Sequence, residues 1–345
     1  MRKSTVYGII TVALSVFLTT MGLELAFRIH HEKVFQFKSL TAEPLKQGKR
    51  MTYHPLLGWI PSPGRYGIDW TSNVDASGLR SNGRSISSTS RPVLTVGDSF
   101  TFGDEVEDSE TWAAHLEKVL NRRVLNAGVG AYGIDQAVLR AELLLDEYNP
   151  DVVILAFISD DINRTELSYY PFSRGWKPYF ELANGSLIPR NVPVPDNLAP
   201  RRFQSLRGIL GYSLLANAVL RRTAQRWWQD RPAIGRVHNH GETVSVELIA
   251  RLDSVAKTRG GQFIAVALAT NGRIGTNVRL PNVIRRAREK GIKVLDLSTE
   301  TLKLPADQLQ NLFRPGGHYA PSMNHWVADR IAAFLYEGGM PRPAN

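Results

Sequence analysis

Pro92-Val93-Leu94-Thr95-Val96-Gly97-Asp98-Ser99-Phe100-Thr101-Phe102-Gly103 is the stretch from which the fold is read. Its opening is a short apolar, β-branched run of the kind that makes a strand, and a helical pattern resumes from about Glu110. Between the two, Gly97 lets the backbone turn sharply. Ser99 therefore falls where the carboxyl end of a strand meets a loop, its hydroxyl able to project and its own N–H free to face a reacting oxygen. That placement makes Ser99 a candidate nucleophile. Asp and Ser are also good turn formers, and the tripeptide on its own would favour that plainer reading.

Outward from this point, strand and helix patterns alternate as in a doubly wound sheet. A helix is expected from Glu110 to Asn121, capped by Asp108 or Ser109, then a strand over Val124–Asn126 and a helix from Ile134 to Tyr148 that Pro150 ends. Val152–Phe157 is an unbroken apolar run, which suits a central parallel strand buried on both faces. The pattern resumes with a helix over 246–258, a strand over 262–268, a helix over 280–290, a strand over 293–297 and a last amphipathic helix over 326–335. Five strands are expected.

The amino terminus places the chain. After Arg2 and Lys3, Ser4 to Leu23 carries no charge and is long enough to cross a bilayer as a helix. No small-x-small site follows the apolar core, so a retained anchor (residues 1–27) is expected over a cleaved signal peptide, with the body (residues 92–337) outside the cytoplasm, on the periplasmic or extracellular side. The chain has no cysteine, which excludes disulfides and cysteine-based metal sites, and 345 residues suffice for a core without them. The histidines show no metal-ligand spacing, so no metal and no cofactor is expected. A net charge of +10 suits anionic headgroups or an acidic glycan, while the anchor argues against nucleic acid as a partner. Nothing in the composition speaks to oligomeric state.

Two regions leave the alternating pattern. Residues 28–91 form an extension containing Tyr53-His54-Pro55-Leu56-Leu57-Gly58-Trp59-Ile60-Pro61 and Gly78-Leu79-Arg80-Ser81-Asn82-Gly83, expected to pack on the main domain. Residues 165–240 form an insertion that opens with Tyr169, Tyr170, Phe172, Trp176, Tyr179 and Phe180, and Asn184-Gly185 within it is a hairpin signal. Leu206 to Gln229 reads as one basic amphipathic helix, with Arg207, Arg221, Arg222 and Arg226 against Leu210, Leu214, Leu215 and Val219, closed by Trp227 and Trp228. Such a helix either touches lipid or sugar or simply caps an edge. Residues 338–345 are a tail.

The order of motifs resembles the SGNH (GDSL) hydrolase family over roughly 92–164 and 241–337, and the extension resembles the leader of its membrane-anchored members. Gly97-Asp98-Ser99 matches the first block, Asn126-Ala127-Gly128-Val129-Gly130-Ala131 the second, Ile158-Ser159-Asp160-Asp161 the third, and Gly316-Gly317-His318 the last. The resemblance implies a flavodoxin-like, doubly wound parallel five-stranded sheet, with the transmembrane helix and the inserted subdomain added to it. It implies Ser99 as nucleophile, His318 as general base, and an oxyanion site from the N–H groups of Ser99 and Ala131, with Gly130 in reserve and Asp160 at the third-block position. Asp98, Asp161 and Arg164 are candidate supporting groups.

Three positions depart from the family pattern. Ala131 replaces a glycine but still supplies an N–H. Asp160 replaces an asparagine that donates to the oxyanion, and an ionised carboxylate can only accept; either Asp160 is protonated or it turns aside to pair with Arg164, and pairing is the expectation. The family aspartate two or three residues before the histidine is absent, because Pro315 and Gly316 stand there. A backbone carbonyl is the expected orienting group for His318, with Asp296 and Asp307 as side-chain alternatives. The implied function is an ester hydrolase acting on O-acyl groups of an envelope polysaccharide; a lipid esterase, an acyltransferase and a degenerate glycan-binding scaffold are the alternatives.

Overall fold

The computed structural model describes residues 3–31, 50–67, 69–84, 86, 90–170, 175–195, 204–224, 228, 236–271, 279–301, 303, 305, 311–343. In chain order its elements are α1 (Lys3–His30), β1 (Met51–His54), β2 (Gly58–Pro61), β3 (Gly64–Tyr66), β4 (Ser72–Val74), β5 (Val93–Val96), α2 (Ser99–Phe102), α3 (Trp112–Leu120), β6 (Val124–Asn126), α4 (Ile134–Tyr148), β7 (Val152–Phe157) and α5 (Ser159–Arg164). They continue as β8 (Tyr169–Tyr170), β9 (Gly175–Trp176), β10 (Tyr179–Ala183), β11 (Ser186–Arg190), α6 (Gln204–Leu210), α7 (Leu214–Thr223), α8 (Gly241–Thr258), β12 (Gln262–Ala267), α9 (Arg279–Glu289), β13 (Val294–Asp296), α10 (Leu297–Thr301) and α11 (Pro321–Glu337). Two compact units result: α1 with α6 and α7, and the remainder. The expected helix over 206–229 is broken, because Ser213 caps a new helix by accepting from the Ala216 N–H at 2.9 Å. Phe172, Arg226, Trp227 and Asp307 lie outside the described residues.

The main sheet runs β13-β12-β7-β5-β6, all parallel, which in chain order is the 2-1-3-4-5 arrangement of a flavodoxin-like doubly wound fold. Its middle strand explains why the Val152–Phe157 run has no polar alternation: every residue is buried. Val153, Leu155 and Phe157 pack with α4, α8 and α9 on one face, while Val152, Ile154 and Ala156 pack with α3 and α11 on the other. Thr111, rather than Asp108 or Ser109, caps α3, its hydroxyl accepting from the Ala114 N–H. The two acidic and serine positions belong instead to a short 3-10 turn just before it. Pro321 opens α11 at a position where a missing N–H costs nothing.

Of the extension, the segment around Leu57 and Trp59 packs on the main domain. Trp59 donates from its indole to the Gly130 carbonyl at 3.1 Å, and Gln136 donates to the Leu57 carbonyl at 2.8 Å. Asn184 and Gly185, both at positive φ, make the tight turn of the β10–β11 hairpin. The start of the insertion is pinned by Lys177, whose ammonium meets the Asp135 carboxylate in α4 with neither side chain exposed. Burial raises the Asp135 pKa and lowers that of Lys177, each only partly offset by the other. Such a pair specifies a position more than it stabilises one, yet breaking it strands a charge. Lys177→Met is expected to cost about 3–5 kcal/mol, and adding Asp135→Leu should restore most of that, as read from urea unfolding followed by tryptophan fluorescence.

Candidate active site

β5 ends under a backbone that leaves no room for side chains. A Cβ at Gly97 would run into the Ala156 carbonyl oxygen and Thr101 Oγ1. The chain then enters α2, and Asp98 caps it, one carboxylate oxygen accepting from the Phe100 N–H at 2.9 Å. Ser99 is the first helical residue and is partly exposed. Among the described residues nothing accepts its N–H or that of Ala131. The second block is hooked to the nucleophile turn by the Val129 N–H, which donates to the Gly97 carbonyl at 3.0 Å. Ala131 sits at φ +68°, a left-handed conformation that costs a residue with a Cβ about 1 kcal/mol.

His318 joins this edge from the loop before α11. Its Nε2 lies 2.9 Å from Ser99 Oγ, and its ring packs against Phe100, tilted by 48° with centroids 5.1 Å apart. Its Nδ1 lies 3.0 Å from Glu105 Oε2. A carboxylate can only accept, so Nδ1 carries the proton and Nε2 is left to accept from the serine. The expected backbone carbonyl is thus not the partner of His318; Glu105 is. Asp296 is engaged elsewhere, accepting from Ser298 and Thr299 at 2.6 Å each.

Glu105 reaches His318 through an open volume at 316 and a left-handed turn of its own backbone. At position 316 a Cβ would collide with the Glu105 carboxylate, and glycine leaves that space open. The carboxylate then accepts from the Gly316 N–H at 3.0 Å and the His318 N–H at 3.2 Å as well as from the imidazole. Glu105 itself is at φ +69°, strain of the kind found where a side chain must be aimed. Arg80 holds the loop in that shape. Its buried guanidinium donates to the carbonyls of Phe102 at 2.9 Å, Val106 at 2.6 Å and Gly103, and to Asp108 at 3.0 Å. The neighbouring Asp104 is 3.9 Å from His318 Nε2, beyond hydrogen-bond distance.

Arg164 fastens the three blocks beneath Ser99. It donates to Asp98 at 3.2 Å, to Asp161 at 2.5 Å and to the Tyr132 carbonyl at 2.9 Å, and lies over the Tyr170 ring. Asp161 in turn accepts from the Ile158 N–H, which starts α5. Burial and the Asp98 charge raise the Asp161 pKa well above the usual carboxylate range, with Arg164 opposing. The expected Asp160–Arg164 pair is not formed, because the cation is taken by the two deeper carboxylates. Among the described residues no hydrogen bond or ion pair holds Asp160. It is half-buried, and burial first, then Asp98, raises its pKa against the pull of Arg164.

No protein-family model and no curated protein matches the chain. Solved structures similar to it include the lipase/acylhydrolase from Enterococcus faecalis, at 15% identity and TM-score 0.43 over 74% of this chain and 100% of that one. TesA aligns at 14% and 0.43 over 71% and 98%, and a GDSL-like lipase from Bacteroides thetaiotaomicron at 10% and 0.37 over 74% and 91%. The reading of the site rests on its geometry.

That geometry makes Arg80 the support of the acid loop. In Arg80→Lys, amide exchange across 102–107 is expected to quicken by about tenfold, the mark of about 1.4 kcal/mol of lost local stability. Exchange in β7 should be unchanged; equal protection of the loop in both proteins would remove Arg80 from this role.

Proposed function

We propose that this chain is a membrane-anchored serine esterase of the SGNH type, acting on O-acyl esters outside the cytoplasm. The observation that carries it is the continuous chain Ser99 Oγ, His318 Nε2, His318 Nδ1, Glu105 Oε2, with links of 2.9 and 3.0 Å. It has the three parts that nucleophilic acyl transfer requires: a hydroxyl, a base within reach of its proton, and an acceptor that fixes the tautomer of the base. His318 takes the Ser99 proton as the oxygen attacks the ester carbonyl. Glu105 holds the imidazole and balances the imidazolium that forms. The free N–H groups of Ser99 and Ala131 are the donors for the oxyanion, with that of Gly130, the residue before Ala131, in reserve. The imidazolium then returns its proton to the leaving alcohol, and water or a hydroxyl acceptor releases the acyl group by the reverse sequence.

The substrate class we favour is an acylated envelope glycan, which the net charge of +10 suits when that glycan is acidic. The triad argues against a scaffold without turnover, because an assembled base and acid serve no purpose in binding alone. A fluorophosphonate probe tests the reading directly. Wild-type protein should label and Ser99→Ala should not, while the circular dichroism spectra coincide; labelling that survives the substitution would sink it. Glu105→Gln keeps the shape and loses the charge, and kcat on an activated acetyl ester should fall by about 10³–10⁴.

Asp160 gives the pH dependence. The groups that face it are Arg164, Asp98 and Asp161, and their balance with burial lifts its pKa. Below that pKa the neutral carboxyl can donate to the oxyanion; above it the carboxylate repels the developing charge. Activity is therefore expected to fall as pH rises through the elevated value. Asp160→Asn, a donor at every pH, should abolish that alkaline decline in a kcat–pH profile.

A further inference from the structure

The unit made by α1, α6 and α7 is built inside out. Along the last turns of α1, Leu25 and Ile29 stand 52% and 60% exposed, while the charged side chains just before each of them, Glu24 and Arg28, are covered. Glu24 accepts from the Ser213 hydroxyl at 2.8 Å and from the Leu214 and Leu215 N–H groups at 2.9 Å each, and Arg28 donates to the Tyr212 carbonyl at 2.6 Å. The same inversion continues onto the insertion. Arg207 is buried, donating to the Trp228 carbonyl at 3.1 Å, whereas Ile209 two residues on is 71% exposed, and Leu206 and Val219 are also bare.

Scattered exposed leucines need no explanation, but charges turned inward beside apolar groups turned outward do. Water selects the opposite arrangement. Hydrocarbon selects this one, since a charge at membrane level must face protein and be paired. The helices carry their remaining cations, Arg221 and Arg222, at the exposed end of α7, where phosphate headgroups would receive them.

We propose that α6 and α7 form a bilayer-interface element, bolted by Glu24 and Arg28 to the end of a retained α1, with Leu206, Ile209 and Val219 in the lipid boundary of an anionic membrane. This rests on the anchored reading of α1 and is independent of the esterase. Part of α1 is then structural to the insertion, so removal of α1 as a leader would leave the first turn of α7 without its carboxylate acceptor.

The chain lacks cysteine, so single labels are unambiguous. Full-length Ile209→Cys, Val219→Cys and, as lipid-facing reference, Leu25→Cys would each carry an NBD fluorophore in vesicles of equal phosphatidylcholine and phosphatidylglycerol. All three labels should be quenched by doxyl-labelled lipid and shielded from aqueous iodide. Adding Glu24→Ala should cut lipid quenching at Ile209 and Val219 several-fold and leave Leu25 unchanged. Labels at 209 and 219 open to iodide, with Leu25→Cys still quenched by lipid, would overturn the proposal while the anchor stands. Shielding from iodide without lipid quenching would assign the face to a protein partner or second copy and overturn it equally. If Leu25→Cys is also open and the protein washes from the vesicles, the anchored reading fails with it. Unchanged quenching in Glu24→Ala would remove the bolt.

Discussion

The site depends on one backbone constraint: the chain after α2 must double back within a few residues so that Glu105 faces the loop before α11. A glutamate does not take a left-handed conformation unaided, and the cost is about 1–2 kcal/mol. What offsets it is a set of charge-assisted bonds on both sides of the residue. Arg80 gathers the carbonyls of Phe102, Gly103 and Val106 from one side, and the Gly316 and His318 N–H groups take up the carboxylate from the other. The segment that precedes the sheet is therefore not a mere spacer between α1 and β5. Its Gly78–Gly83 segment supplies the cation around which the acid loop is shaped.

A second cation does for the remaining blocks what Arg80 does for the acid. Arg164 is one charge shared by two buried carboxylates and a carbonyl, so it ties together the Asp98–Ser99 turn, the Tyr132 loop and α5. Engaging it so fully leaves Asp160 to its surroundings, and burial together with the Asp98 charge raises its pKa above the usual carboxylate value. Only in its protonated form could a carboxyl at this position donate as an asparagine does, so the shift narrows the difference between the two side chains without removing it.

Much of the fold was legible because it rests on local patterns. The all-apolar run of β7, the Gly97 turn, the Asn184-Gly185 hairpin and the Ile134–Tyr148 helix each carry their reason in a few adjacent residues. Ser99 and His318 were legible in the same way, from their block motifs. Glu105 was not. Its partner lies 213 residues away, and nothing nearby distinguishes it from Asp104. The available signal was negative: Pro315 and Gly316 stand where the motif leads one to expect an acid, glycine leaving a vacated volume, and Asp104-Glu105 is an acidic pair a few residues downstream of Ser99. The Asp160–Arg164 expectation failed for a related reason, since spacing along a helix says which groups can meet but not which deeper competitors hold the cation already. The continuous helix expected over 206–229 missed Ser213, whose side chain satisfies the start of a separate helix.

The open volume at Gly316 also bears on how such a site can change over generations. A side chain at 316 and the carboxylate at 105 claim the same space, so an acidic partner for His318 can stand on either segment but not on both. Placing the new acid first would crowd two anions into one hole; deleting the old one first would leave the imidazole unoriented. Positions 105 and 316 are thus coupled by volume, and a side chain at 316 calls for a smaller or redirected one at 105.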